Sequence, residues 1–218
     1  MTRATRQLLK RDTFGAIYLC TSTNDQCIER NIGEAPWWSR PLARWLMRRE
    51  ARALGRLHDV SGFTRLRSMN RNTLVREFVD GEPMYVAKPQ HREYYVSALA
   101  QLRALHRRGI VHNDLAKEPN WLETPDGSAA IVDFQLASVF RVRTARFRRM
   151  AHEDLRHFLK HKRTYRPASL THRERRILAT RSPANRLWMA TVKPVYLFVT
   201  RRIFHWSDRE GAADRGKQ

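Results

Sequence analysis

Apolar residues recur along the chain at two periods, and each period predicts an element. Residues 16–20 and 26–32 read as strands, with the polar stretch 21–25 as the turn of a β-hairpin. Residues 41–57 read as a helix. Pro41 suits its first turn, and Leu42, Trp45, Leu46, Ala53, Leu54 and Leu57 recur at helical spacing. Gly62 opens an extended region that leads to a strand over residues 73–79, and residues 80–83 form a turn. A second helix is predicted over residues 92–107, with Tyr95, Leu99, Leu102, Leu105 and His106 on one broad face. Gly109 ends it, as a left-handed position requires. Ile110 and Val111 follow, then a loop from His112 to Asn120. Next comes a hairpin, 121–123 and 129–132, that leaves Asp133 at the end of its second strand. From Arg141 onward the pattern is helical and strongly basic, with breaks at Pro167, Pro183 and Pro194.

Composition narrows the class. The 218 residues carry 42 Lys and Arg against 21 Asp and Glu, a formal net charge of +21. A hydrophobic content of 42% is too high for a disordered basic tail, so a packed core is expected, as one domain or two small lobes sharing a cleft. The charge would attract polyphosphate ligands, nucleic acid or an anionic membrane surface, or would serve solubility alone. Cys20 and Cys27 are too few for a disulfide scaffold or a zinc site, so a reduced cytoplasmic compartment is expected. The first 14 residues lack the apolar run of a secretory signal, and no window has the length of a transmembrane helix.

One constellation carries chemistry: the loop His112-Asn113-Asp114-Leu115-Ala116-Lys117-Glu118-Pro119-Asn120 and the segment Asp133-Phe134-Gln135. An aspartate in a loop after a helix can orient a hydroxyl and accept its proton. An asparagine further on offers an amide oxygen, and an aspartate at the tip of a neighbouring hairpin offers a carboxylate. Hard oxygen donors of this kind suit Mg²⁺. Together they suit phosphoryl transfer, where positioning and charge neutralisation do most of the catalysis.

These motifs resemble those of the protein-kinase-like superfamily, the H-x-D-L…N loop and the D-F-x segment. The resemblance runs in order over residues 8–140. Residues 102–112 look like the helix feeding a catalytic loop, and residues 75–81 look like the last N-lobe strand and hinge. Residues 48–54 look like the helix with the ion-pairing glutamate, here Glu50. Residues 12–18 look like a much reduced Gly-rich loop containing Gly15. The resemblance implies ATP and Mg²⁺ as cofactors. Asp114 and Lys117 would be catalytic, and Asn120 and Asp133 would be the metal ligands. Gly15, Arg30, Glu50 and Glu77 would lie on the nucleotide side.

Several departures stand out. Asn120 is one position further from Asp114 than the motif requires, which places a one-residue bulge near Ala116. Gln135 replaces the glycine of D-F-G. The phosphate-anchoring lysine is absent, since only Lys10 and Lys88 precede the loop; either Arg30 substitutes for it, with Glu50 as its partner, or Arg30 is an ordinary exposed strand residue and the anchor lies elsewhere. No Ala-Pro-Glu motif follows Asp133. The compact RIO kinases and bacterial lipopolysaccharide-core sugar kinases are similar in this respect.

The implied fold is α+β. A β-rich N-lobe (1–80) precedes a truncated, mostly helical C-lobe (81–206) and a polar tail (207–218) that is expected to fray. The implied activity is ATP-dependent transfer to a hydroxyl, with Ser/Thr of a protein ahead of a glycolipid sugar. A nucleotide-binding pseudokinase scaffold is the rival. The location is cytoplasmic, with peripheral attachment to the inner membrane as the alternative.

Further along, Asp154 either braces the catalytic loop from below or is an exposed carboxylate among arginines. Arg141, Arg143, Arg146, Arg148 and Arg149, extended by Lys160, Lys162, Arg163 and Arg166, read as a docking face for an anionic partner or as a solvated helix face. Nucleic acid as that partner follows from charge alone. His157 and His161 share a helix face. With no third ligand nearby, surface histidines are expected rather than a zinc pair. The aromatic and basic stretch 187–206 either lies in a membrane interface or packs on the C-lobe, packing being preferred.

Overall fold

The computed structural model describes residues 5–23 and 25–180. The expectations for Pro183, Pro194, the stretch 187–206 and the tail 207–218 lie outside the described residues.

The architecture is α+β. Strands β1 (Thr5–Asp12), β2 (Gly15–Ser22) and β3 (Asp25–Asn31) run antiparallel in succession. No strand was predicted over 5–12, because Thr5 through Arg11 are all exposed and so carry no inside–outside alternation. Gly15 closes the β1–β2 turn at φ +118°. A Cβ there would stand 2.3 Å from the carbonyl oxygen of Asn31, so close backbone packing accounts for this glycine.

Helix α1 (Arg40–Leu57) follows, with Pro41 in its first turn as predicted. Ser39 donates its hydroxyl to the Thr13 carbonyl at 2.6 Å, which pins the start of α1 to the β1–β2 turn. The buried face is Ala43, Leu46, Met47, Glu50, Ala53, Leu54 and Leu57. This corrects the predicted face, because Leu42 and Trp45 point outward. The extended region after Gly62 is a hairpin, β4 (Leu66–Met69) and β5 (Thr73–Glu77), and β5 inserts beside β3 to give the order β1-β2-β3-β5-β4. Ile32, Ala43, Met47 and Leu74 form the core between sheet and α1, with Phe14, Ala51 and Leu66 against it.

The C-terminal part begins with β6 (Glu82–Pro83), which pairs with β8 (Trp121–Glu123); residues 82–83 are therefore strand rather than turn. Helix α2 (Met84–Ala87) leads to α3 (Arg92–Arg107). Gly109 takes φ +71° against the Phe140 carbonyl. Strand β7 (Ile110–Val111) pairs with β10 (Ser138–Val139), and β8 pairs with β9 (Ala129–Ile131). Helix α4 (Ala145–Tyr165) is capped by Thr144, whose hydroxyl accepts from the Phe147 amide. Trp121, Tyr94 and Phe158 are fully buried, with Trp121 and Phe158 ring centroids 5.8 Å apart.

A second compact unit starts at Leu170. In it α5 (His172–Ala179) opens with a reciprocal Thr171–Glu174 capping box. Among the described residues no helix is long and apolar enough to cross a membrane.

Candidate active site

The loop after β7 is built on one buried carboxylate. Asp154 of α4 is 1% exposed. Its oxygens accept from the backbone amides of His112 (2.8 Å) and Asn113 (3.0 Å), and His106 Nε2 lies 3.3 Å away. Of the two readings left open for Asp154, the brace describes its position. Asn113 can then hold φ +68°, a left-handed conformation that a non-glycine residue adopts only when its surroundings enforce it. Its side-chain amide donates to the Leu136 carbonyl at 2.7 Å and to Ser138 Oγ at 3.0 Å.

Asp154→Ala would leave the buried His112 amide and the half-buried Asn113 amide without their acceptor, at about 1–3 kcal/mol for the buried one. We expect a fall of several degrees in the thermal midpoint. Hydrogen exchange at His112 and Asn113 should rise, and unchanged protection there would refute the brace.

Two further side chains support the loop. His161 is 7% exposed and its Nε2 lies 2.8 Å from the Leu115 carbonyl, so that nitrogen carries the proton. This corrects the surface expectation for His161; His157 is half-buried, and burial pushes its pKa down. Trp121 Nε1 donates to the same carbonyl at 3.2 Å. Among the described residues no group of three or more His, Cys, Asp or Glu could hold a metal ion.

Asp114, Lys117 and Asn120 come together on this support. Lys117 Nζ is 3.0 Å from Asp114 Oδ2. The Asn120 amide donates to the Asp114 carbonyl at 2.9 Å and to Oδ2 at 3.2 Å. The extra residue is absorbed in a turn, closed by Lys117 N donating to the Asp114 carbonyl, followed by a 3₁₀ turn over Glu118–Asn120. The Val132 amide donates to the Asn120 carbonyl, and His112 Nε2 lies 3.0 Å from the Val132 carbonyl, so the strand end before Asp133 is fastened to the loop. Phe134 is fully buried, 4.9 Å from the His112 ring.

Asp133 takes φ +66°. Gln135, in the place of a glycine, donates its side-chain amide to Asp133 Oδ1 at 2.8 Å. Burial pushes the Asp133 carboxyl up, but Arg30, Arg76, the Gln135 hydrogen bond and His112 together outweigh it, and its pKa lies below the ordinary aspartate value.

Arg30 and Arg76 mark the opposite wall. Arg30 on β3 is 6% exposed, with Nε 3.6 Å from Glu50 Oε2. Arg76 on β5 donates to Glu50 Oε1 at 2.9 Å. Arg30 pairs across the sheet with Leu74, two residues from Arg76, so both guanidiniums leave the same face. Glu50 is fully buried between them. Arg76 was not singled out from sequence, although its alternation with buried Leu74 marks it as inward-facing. An inward arginine on an inner strand requires a carboxylate partner.

Gly15 and Glu77, expected on the nucleotide side, both belong to the N-terminal sheet. Gly15 sits at the β1–β2 turn. Glu77 ends β5, its amide donating to the Arg65 carbonyl and its carbonyl accepting from Thr64 Oγ1, so its backbone groups are spent inside the sheet.

Helix α1 is also tied to the chain after Asp133. Arg49 donates to the carbonyls of Leu136 (2.7 Å) and Ala137 (3.0 Å) and to Ser138 Oγ, and Arg56 donates to the Phe140 carbonyl at 2.8 Å.

Asn120 and Asp133 carry oxygen donors of the type that would suit a divalent cation. The Asn120 NH₂ is turned to Asp114, which leaves its amide oxygen as a free donor type, and Asp133 supplies a carboxylate. Two such groups are too few for a stand-alone metal site but suit Mg²⁺, which draws its other ligands from water and phosphate.

Residues 29–165 match the RIO domain family. The chain is also 37% identical over 102 residues to the serine/threonine-protein kinase Pkn1 of Myxococcus xanthus. That stretch is 41% of this chain and 15% of the relative, so the chain spans a small part of that protein's length.

Proposed function

The chain belongs to the RIO domain family of protein-kinase-like phosphotransferases, and from that premise we propose that it transfers the γ-phosphate of ATP, with Mg²⁺, to a serine or threonine hydroxyl of a protein. The observation that carries this reading is the hydrogen-bonded set Asp114–Lys117–Asn120, fastened through Val132 to the strand end that presents Asp133. A purely structural loop needs no such convergence of a carboxylate, an ammonium group and an amide.

In this reading Asp114 accepts the proton of the acceptor hydroxyl as its oxygen bonds to the γ-phosphorus and the bond to the β–γ bridging oxygen breaks. Lys117, at the rim, offsets charge on the transferring group. Asn120 and Asp133 would hold Mg²⁺, which when bound neutralises phosphate charge. Arg30 and Arg76 take the lysine's task of gripping phosphate, with Glu50 keeping both guanidiniums oriented.

The test is transfer from radiolabelled ATP, with and without Mg²⁺. Label should appear on serine or threonine, and Asp114→Asn should keep nucleotide binding while cutting transfer about a hundred- to ten-thousandfold. Nucleotide binding without transfer in the unaltered protein would overturn the reading in favour of a scaffold. Label found only in added glycolipid would move the acceptor to a sugar hydroxyl.

A further inference from the structure

The chain has two cysteines, Cys20 and Cys27, and folding sets them against each other. Strands β2 and β3 pair without a shift of register, and Cys20 directly faces Cys27. The same register pairs Ser22 with Asp25 at the turn, so the short hairpin loop fixes the alignment. Facing residues of an antiparallel pair put their side chains on one side of the sheet, with Cα atoms about 4.5–5.5 Å apart. A disulfide spans Cα separations of about 4.4–6.8 Å, so this pair can be bridged without moving the backbone. Both residues are half-buried and both are free thiols.

Their neighbours are polar. Arg6, Cys20, Cys27 and Glu77 form one row across the sheet, each facing the next. Cys20 Sγ lies 3.8 Å from a Glu29 carboxylate oxygen, and Arg6 donates to the other oxygen of that carboxylate at 2.8 Å. Burial, Cys27 and Glu29 push the Cys20 thiol up, against Arg6. Cys27 in turn is near enough to Arg67 to act on its charge. The buried side chains of β3, Ile28 and Arg30, alternate with Cys27 and Glu29 and so leave the other side of the sheet.

We propose that Cys20 and Cys27 are a redox site, a dithiol that closes reversibly into an intramolecular disulfide by exchange with a low-molecular-weight disulfide of the glutathione class. One cysteine, as thiolate, attacks a sulfur of the oxidant. A mixed S–S bond forms, the oxidant's S–S bond breaks and one small thiol leaves. The second cysteine attacks the first one's sulfur, which forms the Cys20–Cys27 bond and expels the other small thiol. Two protein thiols are oxidised, one small disulfide is reduced to two thiols, and the two protons pass from the former to the latter. The pair lies on the side of the sheet away from Arg30, and the inference does not depend on the proposed activity.

The test treats the full chain with oxidised glutathione at mildly alkaline pH, because the thiolate is the attacking species and the Cys20 thiol is held up. After an acid quench, thiols are titrated and the intact mass is measured. The chain should lose both thiols and the mass of two hydrogens, stay monomeric and carry no glutathione. Dithiothreitol should restore both thiols. Cys20→Ser and Cys27→Ser should each stop at the mixed disulfide, with one glutathione per chain. In urea the unaltered chain should close about tenfold more slowly, because only the folded hairpin holds the thiols together.

Retention of both thiols in the unaltered chain would overturn the inference. So would a product that keeps glutathione or links two chains. Equal closure rates with and without urea would overturn it as well, because the fold would then contribute nothing to the pairing.

Discussion

Asp133→Asn is expected to lower Mg²⁺-dependent phosphotransfer by about a thousandfold or more while leaving the fold intact. The carboxyl sits two residues beyond β9 with its pKa held below the usual aspartate value, so it is ionised at neutral pH and offers a full negative charge. Asparagine keeps the volume and an oxygen at that point but removes the charge that would draw a divalent cation to the phosphates. The Gln135 amide, which now donates to Oδ1, can still donate to the asparagine oxygen. Turnover should therefore collapse with only a small shift in melting temperature, read from the same purified sample. Full Mg²⁺-dependent turnover in this variant would remove Asp133 from the metal site and the proposed mechanism with it.

Glu50→Ala should be the most destabilising single change on α1. Glu50 is fully buried and is the partner of two nearly buried guanidiniums, Arg30 and Arg76. Deleting one member of a buried ion pair leaves its partner desolvated and uncompensated, at about 3–5 kcal/mol. Here two arginines lose the carboxylate that pairs with both. Urea denaturation should show a much lower midpoint at unchanged slope. Glu50→Gln, which keeps the shape and one acceptor oxygen, should fall between the two. Where the alanine variant still folds, the KM for ATP should rise, because Arg30 and Arg76 no longer hold one orientation. A loss below about 1 kcal/mol would mean that both arginines find water or another acceptor, and would remove Glu50 from its orienting role.

Legibility in the sequence followed the range of each interaction. Helix α3 emerged at its observed bounds because its burial repeats every three to four residues along one segment. The β2–β3 and β8–β9 hairpins emerged because strand, turn and strand are contiguous. The proximity of Asp114, Lys117 and Asn120 was legible for the same reason, all three lying within one short loop. Strand β1 was not legible, since an edge strand exposed along its length has no apolar alternation to read. On α1 hydrophobicity itself misled. Leu42 and Trp45 fit the helical period, yet the sheet meets a face rotated away from them, and that face takes in charged Glu50 instead.

The chain by itself therefore determined its local elements, its excess of positive charge and the order of its kinase-like motifs. Tertiary structure alone decided which distant groups meet. Arg76 faces Glu50 because β5 inserts beside β3 and not beside β1. Asp154 and His161 support a loop more than forty residues earlier because α4 packs beneath it. The physical reason is that a periodic pattern reports which side of a segment avoids water. A buried charge or hydrogen-bond donor is settled only by whatever partner the packing brings to that side, and that partner leaves no mark in the neighbouring residues.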